Sequence, residues 1–123
     1  MARDIPNVQV ILNIPELLTR VENDRELLRE LLEIFKEECP SLLRVLGAAV
    51  SREDMKSVQR TCHTLKGMFA TLSASGAVSA ASKLEHMGQN AEKSGLGGAL
   101  TALESEVTAL LVELDSCLDA VNK

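Results

Sequence analysis

The stretch from residue 58 to residue 72, VQRTCHTLKGMFATL, decides the fold. Its apolar side chains recur in alternating steps of four and three residues: Val58, Cys62, Leu65, Phe69 and Leu72. This spacing places them on one side of an α-helix and is typical of a helix that packs against other helices. Gly67 falls inside the repeat, although a glycine within a helix costs roughly 1 kcal/mol relative to alanine. We therefore expect a reason for this glycine other than helix formation.

Two predicted helices precede this stretch. Asn13 can cap a short helix that has Pro15 in its first turn and ends near Asn23. Asp24 can cap a long second helix. Its inward side chains follow helical spacing: Leu28, Leu31, Leu32, Phe35, Cys39, Leu42, Leu46 and Ala49. Because this pattern keeps its phase across Pro40, we expect the helix to kink there rather than to break.

The remaining boundaries complete an all-α fold. Ser51 and Asp54 form a start signal for the third helix. We then expect a turn at residues 73–76, a fourth helix at 77–93, a loop at 94–98 and a last helix from about residue 100 to residue 121. Since short loops imply antiparallel neighbours, the sequence predicts an antiparallel up-down four-helix bundle with a short additional N-terminal helix. The domain is predicted to span residues 14–122, after an N-terminal tail of residues 1–13.

Composition limits the classes of function. The formal net charge of −5 argues against a nucleic-acid partner. The sequence has no apolar run long enough to cross a bilayer and no signal-peptide pattern at its start, so we expect no membrane insertion and a cytoplasmic location. The three cysteines, Cys39, Cys62 and Cys117, are odd in number and far apart, which indicates reduced core residues. We expect a monomer.

His63 is predicted to lie on the outer face of the third helix. At 100° per residue, His63 points away from the apolar side, and Gly67 lies nearly opposite that side. Ala70 follows one turn later on the same ridge, so the surface beside the imidazole is flat. A flat surface beside an exposed imidazole suits a reaction in which another macromolecule brings the reacting atom. On this interpretation Gly67 provides steric clearance.

Local charge supports the same interpretation. Residues 51–72 contain four Lys or Arg residues against two acidic ones, although the whole chain is acidic. A basic outer face can attract an acidic partner site and an anionic group. Neutral imidazole is a nucleophile, and Lys66 is one turn from His63, where its ammonium could offset the charge of a phosphoryl group on the ring.

These residues resemble a known signature. HTLKG, residues 63–67, resembles the H-x-L-K-G motif of histidine-containing phosphotransfer (HPt) domains. The similarity extends to residues 62–74, to the Leu84–Glu85 pair on the next helix, and upstream to residues 24–49; overall it spans roughly residues 14–122. Two positions depart from the family pattern: Met68 stands where a small residue is usual, and Ser73 stands where a turn glycine is common.

The resemblance implies a function and a set of site residues. The histidine of such a domain accepts a phosphoryl group from a receiver-domain aspartate, or from a histidine kinase, and passes it to a response-regulator aspartate. His63 would be the nucleophile, with Lys66 as stabiliser of the phosphoryl group. Glu85 is a candidate to orient the ring. The predicted partner-binding residues are Lys56, Gln59, Arg60, Thr64, Met68, Ala70 and Thr71. The chain itself would hold no cofactor and no metal, and the receiver would supply the divalent metal.

Other classes of function were compared with this one. A metalloprotein bundle would need inward Glu-x-x-His pairs, but Arg60 and Lys83 stand three residues before the two histidines. A hydrolase would need a nucleophile elbow or a phosphate-binding loop, and neither motif occurs. The chain is therefore predicted to be a phosphoryl carrier without a nucleotide site or a complete catalytic site. The remaining alternative is a non-catalytic helical adaptor that binds a signalling partner.

Overall fold

The computed structural model describes residues 12–121. Within this range the chain forms α-helices and no β-strand, which confirms the predicted all-α fold. The helices are α1 (Ile14–Arg20), α2 (Arg25–Arg52), α3 (Met55–Thr71), α4 (Ser75–Gln89) and α5 (Leu96–Val121). Most of the predicted tail, residues 1–11, lies outside the described part of the chain. None of the described helices is both long enough and apolar enough to span a membrane.

The first two helices begin where the sequence predicts. The side chain of Asn13 accepts a hydrogen bond from the backbone N–H three residues later at 3.1 Å, and that of Asp24 does so at 3.0 Å. Each cap satisfies one of the N–H groups that lack a partner at a helix start. Helix α2 then continues through Pro40. The prediction that this proline does not break the helix is therefore confirmed.

The start of α3 differs from its prediction. Asp54 caps the helix, because its carboxylate accepts from the backbone N–H of Ser57 at 3.3 Å and from the Ser57 hydroxyl at 2.9 Å. Ser51 lies in the last turn of α2, which ends at Arg52, and the next residue, Glu53, adopts the left-handed conformation with φ 55°. The predicted start signal was wrong in its first member, because α2 extends over Ser51 before the chain turns.

The turn between α3 and α4 is shorter than predicted. Ser73 adopts a left-handed φ of 57°, and α4 already begins at Ser75. Ser75 and Gly76 are therefore helical, whereas the sequence predicted a turn over residues 73–76. A single left-handed residue reverses the chain here. Serine and glycine are tolerated in a first helical turn, where the backbone N–H groups have no partner within the helix.

The boundaries around the next loop were also predicted wrongly. Helix α4 ends at Gln89 rather than Lys93, so Ala91 lies outside the helix and is exposed in the following turn with φ 53°. Helix α5 begins at Leu96, so Gly97–Gly98 belong to its first turn rather than to a loop. Leu96 is buried, and its burial favours starting the helix before the two glycines rather than after them.

The helices enclose one hydrophobic core. The most extensive contact joins α3 to α4; α2 packs against α3 and α5, α5 also packs against α4, and α1 rests on α2. The five apolar residues that the spacing predicts to face inward, from Val58 to Leu72, are all buried and are called the seam of α3 below. The three cysteines are free and buried, as expected. Burial raises the pKa of Cys39 to about 11 and that of Cys62 to about 12, so both thiols remain protonated at neutral pH.

Gly88 allows α3 and α4 to approach closely. A Cβ atom at this position would lie 2.7 Å from the backbone nitrogen of Gln59 and 2.9 Å from the carbonyl oxygen of Met55. These contacts are with backbone atoms, which cannot turn aside as a flexible side chain can. The absence of a side chain at Gly88 therefore sets the distance between the two helices at this level.

Arg20 joins α1 to the end of α3. Its guanidinium donates to the carbonyl oxygen of Thr71 at 3.1 Å, to that of Ala70 at 3.4 Å, and to the hydroxyl of Ser73 at 2.6 Å. The last carbonyl groups of a helix lack partners within it, and a positive charge there also complements the helix dipole. Arg20 therefore supports the left-handed turn at Ser73.

The close approach at Gly88 leads to a stability prediction. We expect Gly88→Ala to lower the free energy of unfolding by about 1–3 kcal/mol, because the added methyl group meets backbone on α3. Urea unfolding followed by circular dichroism measures this difference. The matched control is Gly47→Ala, since a Cβ at that helical position meets no atom within 4 Å. Equal effects of the two substitutions would contradict the close-packing role of Gly88.

Candidate phosphoryl-acceptor site

His63 lies on the outer face of α3, as the helical phase predicts. Its side chain is 71% exposed, whereas the neighbouring Cys62 is fully buried. The seam of α3 is held against the core, so the opposite side of the helix is turned to solvent. The core packing thus fixes both the position of the imidazole and its accessibility.

Glu85 on α4 contacts both His63 and Lys66. Its Oε2 lies 2.8 Å from Nδ1 of His63, and its Oε1 lies 2.5 Å from Nζ of Lys66. The Glu85 side chain is only 14% exposed, while that of Lys66 is 33% exposed. One carboxylate from α4 therefore binds two side chains of α3.

The charge state of Glu85 follows from these contacts. The hydrogen bond from Lys66 lowers the pKa of the Glu85 carboxyl below its ordinary value, and the His63 contact acts in the same direction, while desolvation opposes both. Glu85 is therefore ionised at neutral pH and can only accept hydrogen bonds. In the neutral His63 ring the proton must then be on Nδ1, which leaves the electron pair of Nε2 free.

Gly67 faces open space. A Cβ atom at this position would meet no other atom within 4 Å, and the residue is exposed. Packing between helices therefore does not require this glycine, in contrast to Gly88. The surface beside it is open, and its role in clearance for a partner stays a prediction.

A shallow depression between α3 and α4 contains the imidazole. It is lined by Lys56, Gln59, Arg60, His63, Glu85 and Gln89. Three of the predicted partner-binding residues, Lys56, Gln59 and Arg60, are thus brought together with His63. Gln89 was not predicted as a site residue. Its position one helical turn after Glu85 would have placed it on the same face of α4.

The other predicted partner-binding residues lie elsewhere along α3. Thr64 and Thr71 are exposed, and each hydroxyl donates to the carbonyl oxygen four residues earlier, at 3.3 Å and 3.0 Å. Ala70 is also exposed. Met68 is half-buried and packs against the core, so it is less accessible than the three exposed residues of this set.

The described residues contain no obvious ion site. Within residues 12–121, no three His, Cys, Asp or Glu side chains are grouped closely enough to hold a metal ion. The second histidine, His86, is exposed on α4 and lies on a different depression from His63, beside Lys83. The structure thus brings Glu85, Lys66 and His63 together and leaves His86 apart.

Comparison with known proteins gives the family. Residues 30–121 match the Hpt domain family. The fold is similar to the crystal structure of histidine-containing phosphotransfer protein B (HptB) from Pseudomonas aeruginosa PAO1, with a TM-score of 0.82, 20% sequence identity, and coverage of 89% of this chain and 96% of that chain. No curated protein matches the sequence significantly.

The chain belongs to the Hpt domain family. Its function is therefore histidine phosphotransfer in a two-component phosphorelay, and it acts as a phosphoryl carrier rather than as a catalytic enzyme. Domains of this family interact with receiver domains and histidine kinases. The resemblance of HTLKG and its flanking residues to this family is therefore confirmed.

The charge of Glu85 leads to a pH prediction. Because its pKa is lower in the folded chain than in the unfolded chain, the carboxylate stabilises the fold above its ordinary pKa of 4.5, and this contribution is lost as pH falls through the folded pKa. We expect the difference in unfolding free energy between the wild type and Glu85→Gln, measured in urea, to shrink as pH falls below 4.5.

A control separates this effect from general acid sensitivity. Lys66 is the main cause of the lowered pKa, so Lys66→Met should weaken the pH dependence that Glu85 contributes. If the difference between the wild type and Glu85→Gln stayed constant from pH 7 down to pH 3, the ion pair would have no part in stability.

Proposed function

We propose that His63 is the residue that accepts and donates the phosphoryl group. The observation that carries this proposal is an exposed imidazole whose Nδ1 lies 2.8 Å from an ionised carboxylate. Glu85 fixes the tautomer in which Nε2 has the free electron pair, so Nε2 is the nucleophilic atom. His86 has no comparable carboxylate at hydrogen-bond distance among the described residues.

The transfer step follows from this tautomer. The electron pair of Nε2 attacks the phosphorus of a receiver's aspartyl phosphate. The N–P bond forms as the bond from phosphorus to the aspartate oxygen breaks, and the receiver regains its carboxylate. The proton on Nδ1 stays in place, so the positive charge that develops on the ring faces Glu85. Transfer to the next aspartate is the reverse sequence of bond changes.

Two neighbours complete the proposed site. Lys66 would offset the negative charge of the phosphoryl group, since its ammonium is already bound to the carboxylate that holds the His63 ring. Gly67 would provide clearance for the incoming receiver, because a side chain there would project into open space one turn from the ring. Neither role requires a cofactor bound to this chain.

The proposed docking surface is the outer face of α3 together with the facing edge of α4. Helix α3 contains Lys56, Arg60 and Lys66 and no acidic residue, so it complements an acidic receiver pocket. The surface would consist of Lys56, Gln59, Arg60, Thr64, Met68, Ala70 and Thr71, joined by Gln89. The receiver would contribute the aspartate and a divalent metal, since phosphoryl transfer depends mainly on positioning and charge neutralisation.

Several broader features belong to the same proposal. The ring of contacts among α2, α3, α4 and α5, with short connections between successive helices, supports an antiparallel four-helix bundle to which α1 is added. We propose that the domain spans residues 14–122, works as a cytoplasmic monomer, and has no nucleotide site of its own.

Replacing His63 with Gln tests the proposal and also separates it from the adaptor alternative. The wild type should take up acid-labile phosphate from at least one member of a panel of phosphorylated receiver domains, and His63→Gln should take up none. Binding of the same receiver, measured by calorimetry, should persist. The matched control is His86→Gln, which should load like the wild type. Equal loading of His63→Gln would exclude His63 as the acceptor.

Gly67→Leu tests the clearance role. The leucine should be accommodated, because nothing lies within 4 Å of its Cβ, but it should slow uptake from a receiver by roughly tenfold or more, since about 1.4 kcal/mol of steric cost is one factor of ten. Uptake from phosphoramidate, a donor small enough to reach the ring directly, should be unchanged. A parallel loss with both donors would mean that Gly67 acts on the ring and not on docking.

A further inference from the structure

We propose that Glu85 competes with the phosphoryl group for Lys66, and thereby sets how readily His63 gives the group up. This inference rests on His63 being the phosphoryl acceptor. It assigns to Glu85 a positioning role beyond orientation of the ring, because the same carboxylate also holds the cation that the phosphoryl group needs.

The geometry of the resting site supports this competition. Glu85 uses both of its oxygens, one on Nδ1 of His63 at 2.8 Å and the other on Nζ of Lys66 at 2.5 Å. The Lys66 ammonium and the His63 ring therefore contact the same carboxylate. A phosphoryl group on Nε2 would be a second anionic acceptor for the ammonium that Glu85 holds.

Burial strengthens the pair. The Glu85 side chain is 14% exposed and that of Lys66 is 33% exposed, so water screens this contact less than it screens an open surface pair. A phosphoryl group carries more charge than a carboxylate and offers three acceptor oxygens, so it attracts the ammonium in turn. Because Lys66 already has a favourable partner, its move to the phosphoryl group yields less free energy than it would from solvent.

The consequence is a moderate affinity of the site for the phosphoryl group. With Lys66 shared, the phosphorylated state gains only part of the charge neutralisation that the lysine could supply. The equilibrium between the phosphorylated receiver and the phosphorylated carrier is therefore held closer to balance. A carrier in a relay needs such a balance, because it must accept from one aspartate and release to another.

A double-mutant cycle tests this coupling. The measured quantity is the equilibrium constant for phosphoryl transfer from a receiver that loads the wild type. It is obtained from the ratio of phosphorylated carrier to phosphorylated receiver at equilibrium. Glu85→Gln keeps a hydrogen-bond acceptor for Nδ1 but removes the charge that holds Lys66. In the Glu85→Gln background, we expect Lys66→Met to lower the equilibrium constant by roughly tenfold, as for loss of a hydrogen bond to a charged group.

The test compares the effect of Lys66→Met in the wild type with its effect in Glu85→Gln. In the wild-type background, Lys66→Met should have a clearly smaller effect, because Glu85 already takes part of the ammonium. Residue 85 is the same on both sides of each Lys66→Met comparison, so its own interaction with the ring cancels in the cycle as long as the ring keeps its tautomer. If Lys66→Met has the same effect in both backgrounds, the competition is absent and the inference is wrong.

Two controls make the outcome specific. Asp115→Asn breaks another lysine–carboxylate contact between helices, Lys36 to Asp115 at 2.5 Å between α2 and α5, and it should leave the equilibrium constant unchanged. The ¹⁵N spectrum of His63 should show the proton on Nδ1 in both the wild type and Glu85→Gln. Loss of that tautomer in Glu85→Gln would mean that Glu85 acts on transfer through the ring rather than through Lys66, and would overturn the inference. Failure of the wild type to load at all would instead refute the proposed function.

Discussion

The contact on which the site depends is the close approach of α3 and α4 at Gly88. The backbone of α3 lies where a side chain of α4 would otherwise project, and Glu85 stands one turn before that point. This approach lets a carboxylate from one helix bind two side chains of the other. A wider separation would remove both contacts together, so the tautomer of His63 and the position of Lys66 depend on a glycine that touches neither.

The two glycines of this region illustrate opposite uses of the same residue. Gly88 faces the neighbouring helix and is needed for packing, whereas Gly67 faces solvent and no packing contact requires it. Each would lower helix propensity by about the same amount. Their different surroundings appear only when the direction of the missing side chain is known, and for Gly67 the helical phase gives that direction.

Much of the fold could be predicted from the sequence, because apolar spacing on α2, α3 and α5 reports directly on burial. The predicted boundaries were wrong where a single left-handed residue ends a turn early, as at Ser73, or where a buried side chain draws a helix start forward, as at Leu96. The serine and glycine residues at 73–76 and 94–98 favour a longer loop in both regions. Tertiary packing overrides that preference, and a single sequence does not contain this information.

The site was predictable to the extent that it lies on one helix. His63, Lys66 and Gly67 share α3, so their spacing places them together, and Glu85 was suggested only by resemblance. Arg20 and Gln89 were missed because their contacts depend on how separate helices pack. The ion pair of Lys66 with Glu85 was missed for the same reason, and it changes the expected role of the lysine from a free cation to a shared one.

The buried cysteine beside the histidine has a consequence for signal fidelity. Cys62 precedes His63 in the sequence, but its thiol points into the core, and burial raises its pKa to about 12. A sulfur atom in that state cannot intercept an activated phosphorus atom and is a poor target for peroxides or alkylating agents. Oxidants in the surroundings therefore have little access to this sulfur, although it is next in the chain to an exposed imidazole.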